Sequence, residues 1–448
     1  MNALEVRTAL VLASIYMFRM LGLFMVLPVL AISARDFPDY APALVGIAIG
    51  GYGLMQAILQ IPMGTLSDKF GRKPIIVVGL SIFAIGSIVA AQADTLLMLV
   101  FGRILQGGGA IASTVMALAT DVSREKSRPV VMALIGISIG FSFYLAVLIG
   151  PLITVSFGLS GIFWLTAIGA IISIPLLLLL VPTSSKSLAS LDVVPKKQGL
   201  WALATKTQLW RLNVGVFLLH VSITLLFVPF PLVLSSVGYE LDMQWKLYLP
   251  ILVISVAGLG FIMNIARANK ESKAVVLAGA CMISAFAALA FGSLTLTSVV
   301  VVGALFFTGF NYLEATFPSA VSQLAPPGEK GSAMGLYSSF QFSGAFVGGS
   351  TAGLLLEYLS AAWVFSIGIA VTTVIILVCA KMKTNEKVQR LVLEVTNTPL
   401  DFASVLVKIC NVEGVLDAKW SPNNTALYVN AKKGVDSDVL QRILHEAN

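Results

Sequence analysis

The sequence predicts an all-α polytopic membrane protein of twelve transmembrane helices in two six-helix bundles, with a small α+β domain appended at the C-terminal end. Three observations predict it. Of 448 residues, 57% are apolar and 11% charged, whereas an ordinary soluble protein is about 25% charged. The apolar residues gather into twelve segments, each near the ~20 residues that cross a hydrocarbon core. After Lys387 the composition changes to that of a soluble domain. The same numbers exclude disorder, which needs few apolar residues and much charge.

The first bundle, residues 1–181, comprises segments near 9–32, 43–66, 74–92, 96–120, 130–155 and 162–181. The first is too long for a signal-peptide core, carries Arg19 and is followed by a second span, so it is a retained helix. A polar stretch then makes a central loop, 182–211. Within it Leu200-Trp201 and Leu209-Trp210 bracket Lys206 and Arg211 at helical spacing, which suits an interfacial helix or a plain linker. The second bundle and a short linker occupy 212–387, with segments near 212–234, 246–266, 274–292, 298–322, 332–356 and 361–381. The halves align at an offset of roughly 200 residues, the parallel repeat of a carrier whose two bundles rock about a central path.

Charge sets the orientation. With the N-terminus inside, the inner loops hold nineteen Lys and Arg and the outer loops only Arg35 and Lys246. Both termini are therefore expected in the cytoplasm of a cell whose (bacterial inner) membrane the chain crosses. The formal net charge is +7, but residues 1–387 carry +8 and 388–448 carry −1. The excess is an orientation signal, and nucleic-acid binding is excluded.

In the appended domain, 388–448, residues 390–396 alternate as a strand. Residues 399–412 read as a helix with Phe402, Val405, Leu406 and Ile409 on one face. Strands at 415–420 and 426–430 flank Ser421-Pro-Asn-Asn424, a hairpin signal. A second helix at 436–445 presents Val439, Leu440, Ile443 and Leu444. The order β-α-β-β-α is a ferredoxin-like unit without an evident last strand.

Cys281, Cys379 and Cys410 are widely spaced, with no C-x-x-C pair, so neither a metal site nor a disulfide framework is expected. Cys410 reads as part of the domain core. No G-x-x-x-x-G-K-[ST] loop is present, which disfavours ATP-driven transport. No nucleophile–base constellation suggests an enzyme.

The most specific motif follows the second segment: Gly64-Thr-Leu-Ser-Asp68-Lys69-Phe-Gly71-Arg72-Lys73-Pro74. Gly64 allows close helix packing, Gly71 a tight turn, and Asp68 is an anion suited to a helix N-terminus. The run matches the G-x-L-x-D-[RK]-x-G-R-[RK] loop signature of the major facilitator superfamily. In the fourth segment, Arg103-Ile-Leu-Gln106-Gly107-Gly-Gly109 resembles that family's R-x-x-Q-G-x-G. In the fifth, Gly136, Gly140 and Gly150-Pro151 resemble the helix-packing signature of its drug/proton antiporters, although Leu152-Ile-Thr replaces the trailing glycines. Arg19-Met-Leu-Gly22, Asp121 and the appended domain narrow the resemblance to YajR-type transporters. That resemblance implies a switch: Asp68 meeting the N-terminus of span 11 near Ser332–Gly335 and Arg72 meeting Asp121, contacts that hold an outward-facing state.

Ionisable groups inside the spans are few: Arg19, Arg103, His220 and Glu314. An arginine at mid-span costs ~2.5–3.5 kcal/mol or more, so such groups are functional hypotheses by default. Glu314, with Asn311 one turn before it, is a candidate proton or substrate site, or the partner of an arginine. Arg19, Arg103, Gln106 and His220 are candidates for the same pathway. Gln56, Gln60, Asn213 and Gln341 either line it or glue helices together. The expected function is secondary transport of a small molecule, most specifically proton-coupled efflux. Proton symport, uniport and a transporter-like sensor remain open. No cofactor is expected beyond a proton gradient; the partners are the bilayer, a small solute and protons. A monomer is expected, with the C-terminal domain regulatory, self-associating or passive.

Overall fold

A computed structural model describes residues 3–123, 127–182, 203–267, 270–325, 330–381, 388–394, 402–420, 426–432 and 434–445. The chain begins with α1 (Ala3–Phe24), which passes through turns containing Pro28 into the short α2 (Leu30–Ser33). Proline lacks the amide that would continue the helix, so the first span is broken there. Next come α3 (Pro42–Phe70), α4 (Arg72–Ala91), α5 (Leu96–Gly108) and α6 (Ala112–Asp121). Gly71, at φ 95°, ends α3 and starts α4, a left-handed conformation that glycine adopts at no steric cost. The α5–α6 break falls in the Gly107-Gly108-Gly109 run, and together they make one span.

Helix α7 (Arg128–Leu180) has 53 residues, far more than one crossing needs. Gly158, at φ 68°, breaks it. Ser160 Oγ donates to Ala91 O at one end of the bundle, while Leu178 and Val181 accept from Lys73 at the other. The chain therefore turns back at Gly158, and α7 supplies spans five and six.

The second half has α8 (Thr207–Phe227) and α9 (Phe230–Ser236), interrupted at Pro229. It continues with α10 (Gln244–Arg267), α11 (Glu271–Phe291), α12 (Leu296–Leu324), α13 (Lys330–Tyr358) and α14 (Ala361–Cys379). The start of α8 at Thr207 places Leu209 and Trp210 in the seventh span, which corrects the expected interfacial helix at that point. The expected Leu200-Trp201 part lies outside the described residues. Among the described residues, ten helical segments are long and apolar enough to cross a membrane. One of them is the doubled α7. Helix α13 is of spanning length but less apolar; its Gly349 and Gly353 press on α3 and its Gly344 and Gly348 on α8.

Outside the spans, the carboxylate of Asp39 accepts from Leu96 N at 2.6 Å and Leu97 N at 2.9 Å. It thereby caps α5, and these amides, Leu96 first, hold it below the usual carboxylate range.

The C-terminal unit contains β1 (Val388–Glu394), α15 (Phe402–Cys410), β2 (Val415–Trp420), β3 (Ala426–Lys432) and α16 (Ser437–His445). The sheet order is β1-β3-β2, and both pairings are antiparallel. Its core is Leu393, Val405, Ile409, Leu427, Val429, Ala431, Leu440 and Leu444. Two expectations are corrected. Cys410, the last residue of α15, is exposed, and Val439 is 40% exposed, because it stands off the Leu440–Leu444 stripe. The hairpin turn at 421–424 and the loop at 396–401 lie outside the described residues.

The two halves meet chiefly where α3 lies along α13. A Cβ on Gly46 would come within 2.2 Å of Gly349 O. One on Gly50 would come within 2.8 Å of the Phe346 backbone, and one on Gly53 within 2.6 Å of Phe342 O. The helices touch backbone to backbone there, which only glycine permits. Ala43 N donates to Glu357 Oε2 at one end of this seam, and Ser339 Oγ donates to Ala57 O near its middle.

Candidate functional site

The end of the bundle that carries the Gly64–Pro74 loop and Leu178–Val181 is called here the basic end. Arg72 is its hub. Its guanidinium pairs with Asp68 one turn back, donates through Nε to Asp121 Oδ2 at 3.1 Å and through Nη1 to Ser67 Oγ at 2.6 Å. Helices α3, α4 and α6 are thereby tied at one point. Lys73 donates to Val181 O at 2.5 Å and Leu178 O at 3.3 Å, a cation on the unpaired carbonyls at the end of α7. Gly64 brings α3 close to α6, since a Cβ there would be 3.2 Å from Ser113 Oγ. Lys69 is exposed and stands 5.5 Å from the Phe70 ring.

Asp68 also lines a cavity of about 200 Å³ between the halves, with Tyr16, Gln60, Met116, Ser332 and Gly335 among its walls. Asp68 thus shares a cavity with the start of α13, but among the described residues no hydrogen bond joins them. The expected Arg72–Asp121 contact is present; the expected Asp68 contact with span 11 is not made. The reason is geometric. Asp68 pairs with Arg72 in its own half, and the cavity lies between it and the start of α13.

Inside the first half, Arg19 and Arg103 are 2% and 0% exposed. Arg19 Nη2 donates to Gln56 Oε1, and Gln56 Nε2 donates to Gln60 Oε1 at 2.9 Å. Arg103 Nε donates to Ala48 O at 3.1 Å and Nη1 to Gln106 Oε1 at 2.9 Å; Gln106 Nε2 donates to Ser87 Oγ at 2.7 Å. Both guanidiniums stand over the Tyr52 ring, at 5.9 Å and 5.1 Å, a contact that stabilises a desolvated cation by ~2 kcal/mol. Among the described residues neither arginine has a carboxylate partner, so the alternative in which Glu314 pairs with an arginine is corrected.

In the second half, Gln341 on α13 joins His220 on α8 to Glu314 on α12. Its Nε2 lies 3.0 Å from Glu314 Oε1 and 2.9 Å from His220 Nε2. His220 Nδ1 is 3.1 Å from Val216 O. With the proton on Nδ1 donating to that carbonyl, Nε2 keeps a lone pair for the Gln341 amide. Among the described residues Glu314 Oε2 has no hydrogen-bond partner, and it faces His220 Nε2 at 3.9 Å. Asn311 is not part of this group: its Nδ2 donates to Tyr144 Oη at 2.8 Å and Ser255 Oγ at 3.2 Å, a polar tie between the halves.

Of the expected packing glycines, Gly150 presses on span one, where a Cβ would lie 2.9 Å from Met25 O. Pro151 follows it inside α7. A Cβ on Gly140 or Gly136 would meet nothing within 4 Å, so a packing role for Gly140 is corrected. Sequence reasoning missed Ser67, Ser87, Tyr52 and Tyr144, hydroxylated residues of a kind common in any span.

Residues 12–349 match the model of the Major Facilitator Superfamily. The chain is similar to the inner membrane transport protein YajR of Escherichia coli K12, at 37% identity over 432 residues, 96% of this chain and 94% of that protein. It is similar to the multidrug resistance protein MdtH of Aeromonas salmonicida, at 28% identity over 80% of this chain and 91% of that one. The crystal structure of the human organic anion transporter MFSD10 superposes with a TM-score of 0.62 at 18% identity, over 84% of this chain and 100% of that one. At that identity the likeness is one of fold.

Proposed function

The chain belongs to the major facilitator superfamily, whose members are secondary transporters, and from that premise we propose that it exports a small solute by alternating access coupled to protons. The observation that carries the coupling is Glu314, a carboxylate in the middle of a span and away from its ends, with one oxygen bonded to Gln341 and the other, among the described residues, unpartnered toward His220. Protonation of Oε2 converts it from acceptor to donor. Its target is the His220 Nε2 lone pair, which the Gln341 amide now occupies. Loading the proton therefore releases Gln341 from His220, and Gln341 sits on α13, the helix that forms the seam with α3. Proton binding is linked to the helix whose position separates the two states.

The basic end faces the cytoplasm on this reading, as the nineteen-to-two charge bias supports, in a bacterial inner membrane. The Asp68–Arg72–Asp121 cluster acts as the latch. In the state seen here it is closed within its own half and disengaged from α13; when the halves close at the basic end, Asp68 reaches the free amides of α13. Outward direction is supported by the Gly150-Pro151 signature and by the multidrug relative.

Solute flux in proteoliposomes, with and without a pH gradient, tests the proposal. Flux accelerated by the gradient in the wild type, and insensitive to it in Glu314→Gln, is expected. Flux that ignores the gradient in the wild type removes the proton from the account.

A further inference from the structure

The charges inside the two halves do not balance within either half. Every Asp and Glu of residues 1–181 (Glu5, Asp36, Asp39, Asp68, Asp94, Asp121 and Glu125) lies at or near a segment end, so Arg19 and Arg103 have no anion at their depth. A guanidinium stays charged at physiological pH and presents five donors in a planar fork. Among the described residues, Arg19 Nε and Nη1 and Arg103 Nη2 have no acceptor, and neither has the buried hydroxyl of Tyr52 between them. A helix-packing role would leave these donors satisfied by carbonyls or amides, as Arg103 Nε and Nη1 are.

The unsatisfied cluster is connected to the cavity. Gln60 lines it, accepts from Gln56, and Gln56 in turn accepts from Arg19. Tyr16, one helical turn before Arg19, lines the same cavity. The chain Gln60–Gln56–Arg19 is a row of amides and a cation leading inward from the wall. Asp68, at the mouth, shares Arg72 with Asp121, and the neighbouring Lys69 and Lys73 leave this loop net positive, so it does not close the path to an anion. Glu314 lies in the other half, bonded to Gln341, so a second carboxylate entering the first half does not compete for its partners.

We propose that the solute carries a compact anion, a carboxylate or phosphate-type group, which is taken from the cavity by Arg19 with Gln56 as co-donor, Arg103 adding the second positive charge. This rests on the transport reading above and names the class of solute. The bidentate fork of Arg19 suits both groups, and displacement of the Gln56–Gln60 bond frees the Gln56 amide to donate to the anion.

The test uses the purified full chain and four probes that share one ring: benzoate, phenyl phosphate, benzylamine and benzyl alcohol. Saturable binding is followed by titration calorimetry and ligand-induced shift in melting temperature. Wild type is expected to bind benzoate, phenyl phosphate or both, their ranking telling carboxylate from phosphate, and to bind the amine and the alcohol more weakly. Arg19→Gln is expected to lose about 10- to 100-fold in anion affinity, the range for one charged hydrogen bond. Arg19→Lys, which keeps the charge, is expected to lose less. Equal or tighter binding of the amine or alcohol overturns the proposal, as does failure to bind either anion, or an Arg19→Gln protein of unchanged ligand-free melting temperature that keeps its anion affinity. If Arg19→Gln does not fold, the wild-type charge series and Arg19→Lys decide the matter. Flux of cationic or neutral solutes without anion binding ends this proposal and leaves the transport reading standing; absence of any flux ends that reading itself.

Discussion

Gly46→Ala is the smallest change that addresses the seam between the halves. The added Cβ would stand 2.2 Å from Gly349 O and 2.9 Å from Gly353 Cα. A carbon–oxygen contact needs more than 3 Å, so α3 and α13 must separate by about 1 Å at this point or deform. Overpacking of this kind costs typically ~1–3 kcal/mol. That cost falls only on the state in which the seam is closed, and it shifts the two-state equilibrium by roughly 5- to 150-fold toward the state open at that end. The assay is a distance distribution between spin labels at Tyr40 and Leu359, 37% and 53% exposed, one in each half beside the seam. The three native cysteines are replaced by serine or alanine beforehand. Gly46→Ala should populate longer distances at the expense of the short ones. An unchanged distribution in a folded variant refutes the reading of the seam as a gate.

Other perturbations bear on separate parts of the account. Asp68→Asn should cut transport about tenfold or more, the loss of a charged hydrogen bond in one state, with expression near normal; unchanged flux removes the latch. Asp39→Asn probes the cap of α5. The Asp39 carboxylate is held below its ordinary range, so its stabilisation is present above about pH 4 and fades as pH falls through the lowered value. The difference in melting temperature between wild type and Asp39→Asn should therefore shrink below about pH 4, and a difference independent of pH contradicts the cap. Deletion of residues 388–448 should leave a folded twelve-span protein of unchanged melting temperature, because the core of the appended unit is its own. A collapse of the truncated chain in size-exclusion chromatography shows otherwise.

The number of spans, the basic loops and the Arg72–Asp121 contact were legible in the sequence, because each is local or carries a dense motif. Hydropathy could not separate lipid-facing from buried positions: Leu179 is 80% exposed and Phe307 0%, yet both are simply apolar in the chain. The turn at Gly158 was visible only as the gap between two apolar runs, since no proline or charge marks it. Glu314 stood out as the lone carboxylate in a span, but its partner Gln341 lies 27 residues away on another helix, and an amide in a span has no preferred mate. Asn311 misled for the converse reason. One helical turn suggests a shared face with Glu314, while the packing of α10 and α7 turns its amide to Ser255 and Tyr144. The Asp68 contact with span 11 is not made because Asp68 pairs with Arg72, one turn away in sequence, and spacing alone does not rank a local partner against a distant one.

The central claim is that Glu314 carries the proton that moves with the solute. It is tested most directly by proton movement driven by solute alone, read from a pH-sensitive dye trapped in proteoliposomes at zero initial pH gradient. An outward solute gradient should move protons into vesicles bearing the wild-type chain and leave the dye unchanged with Glu314→Gln. Solute flux in the wild type without a dye response, or a full response with Glu314→Gln, contradicts the account.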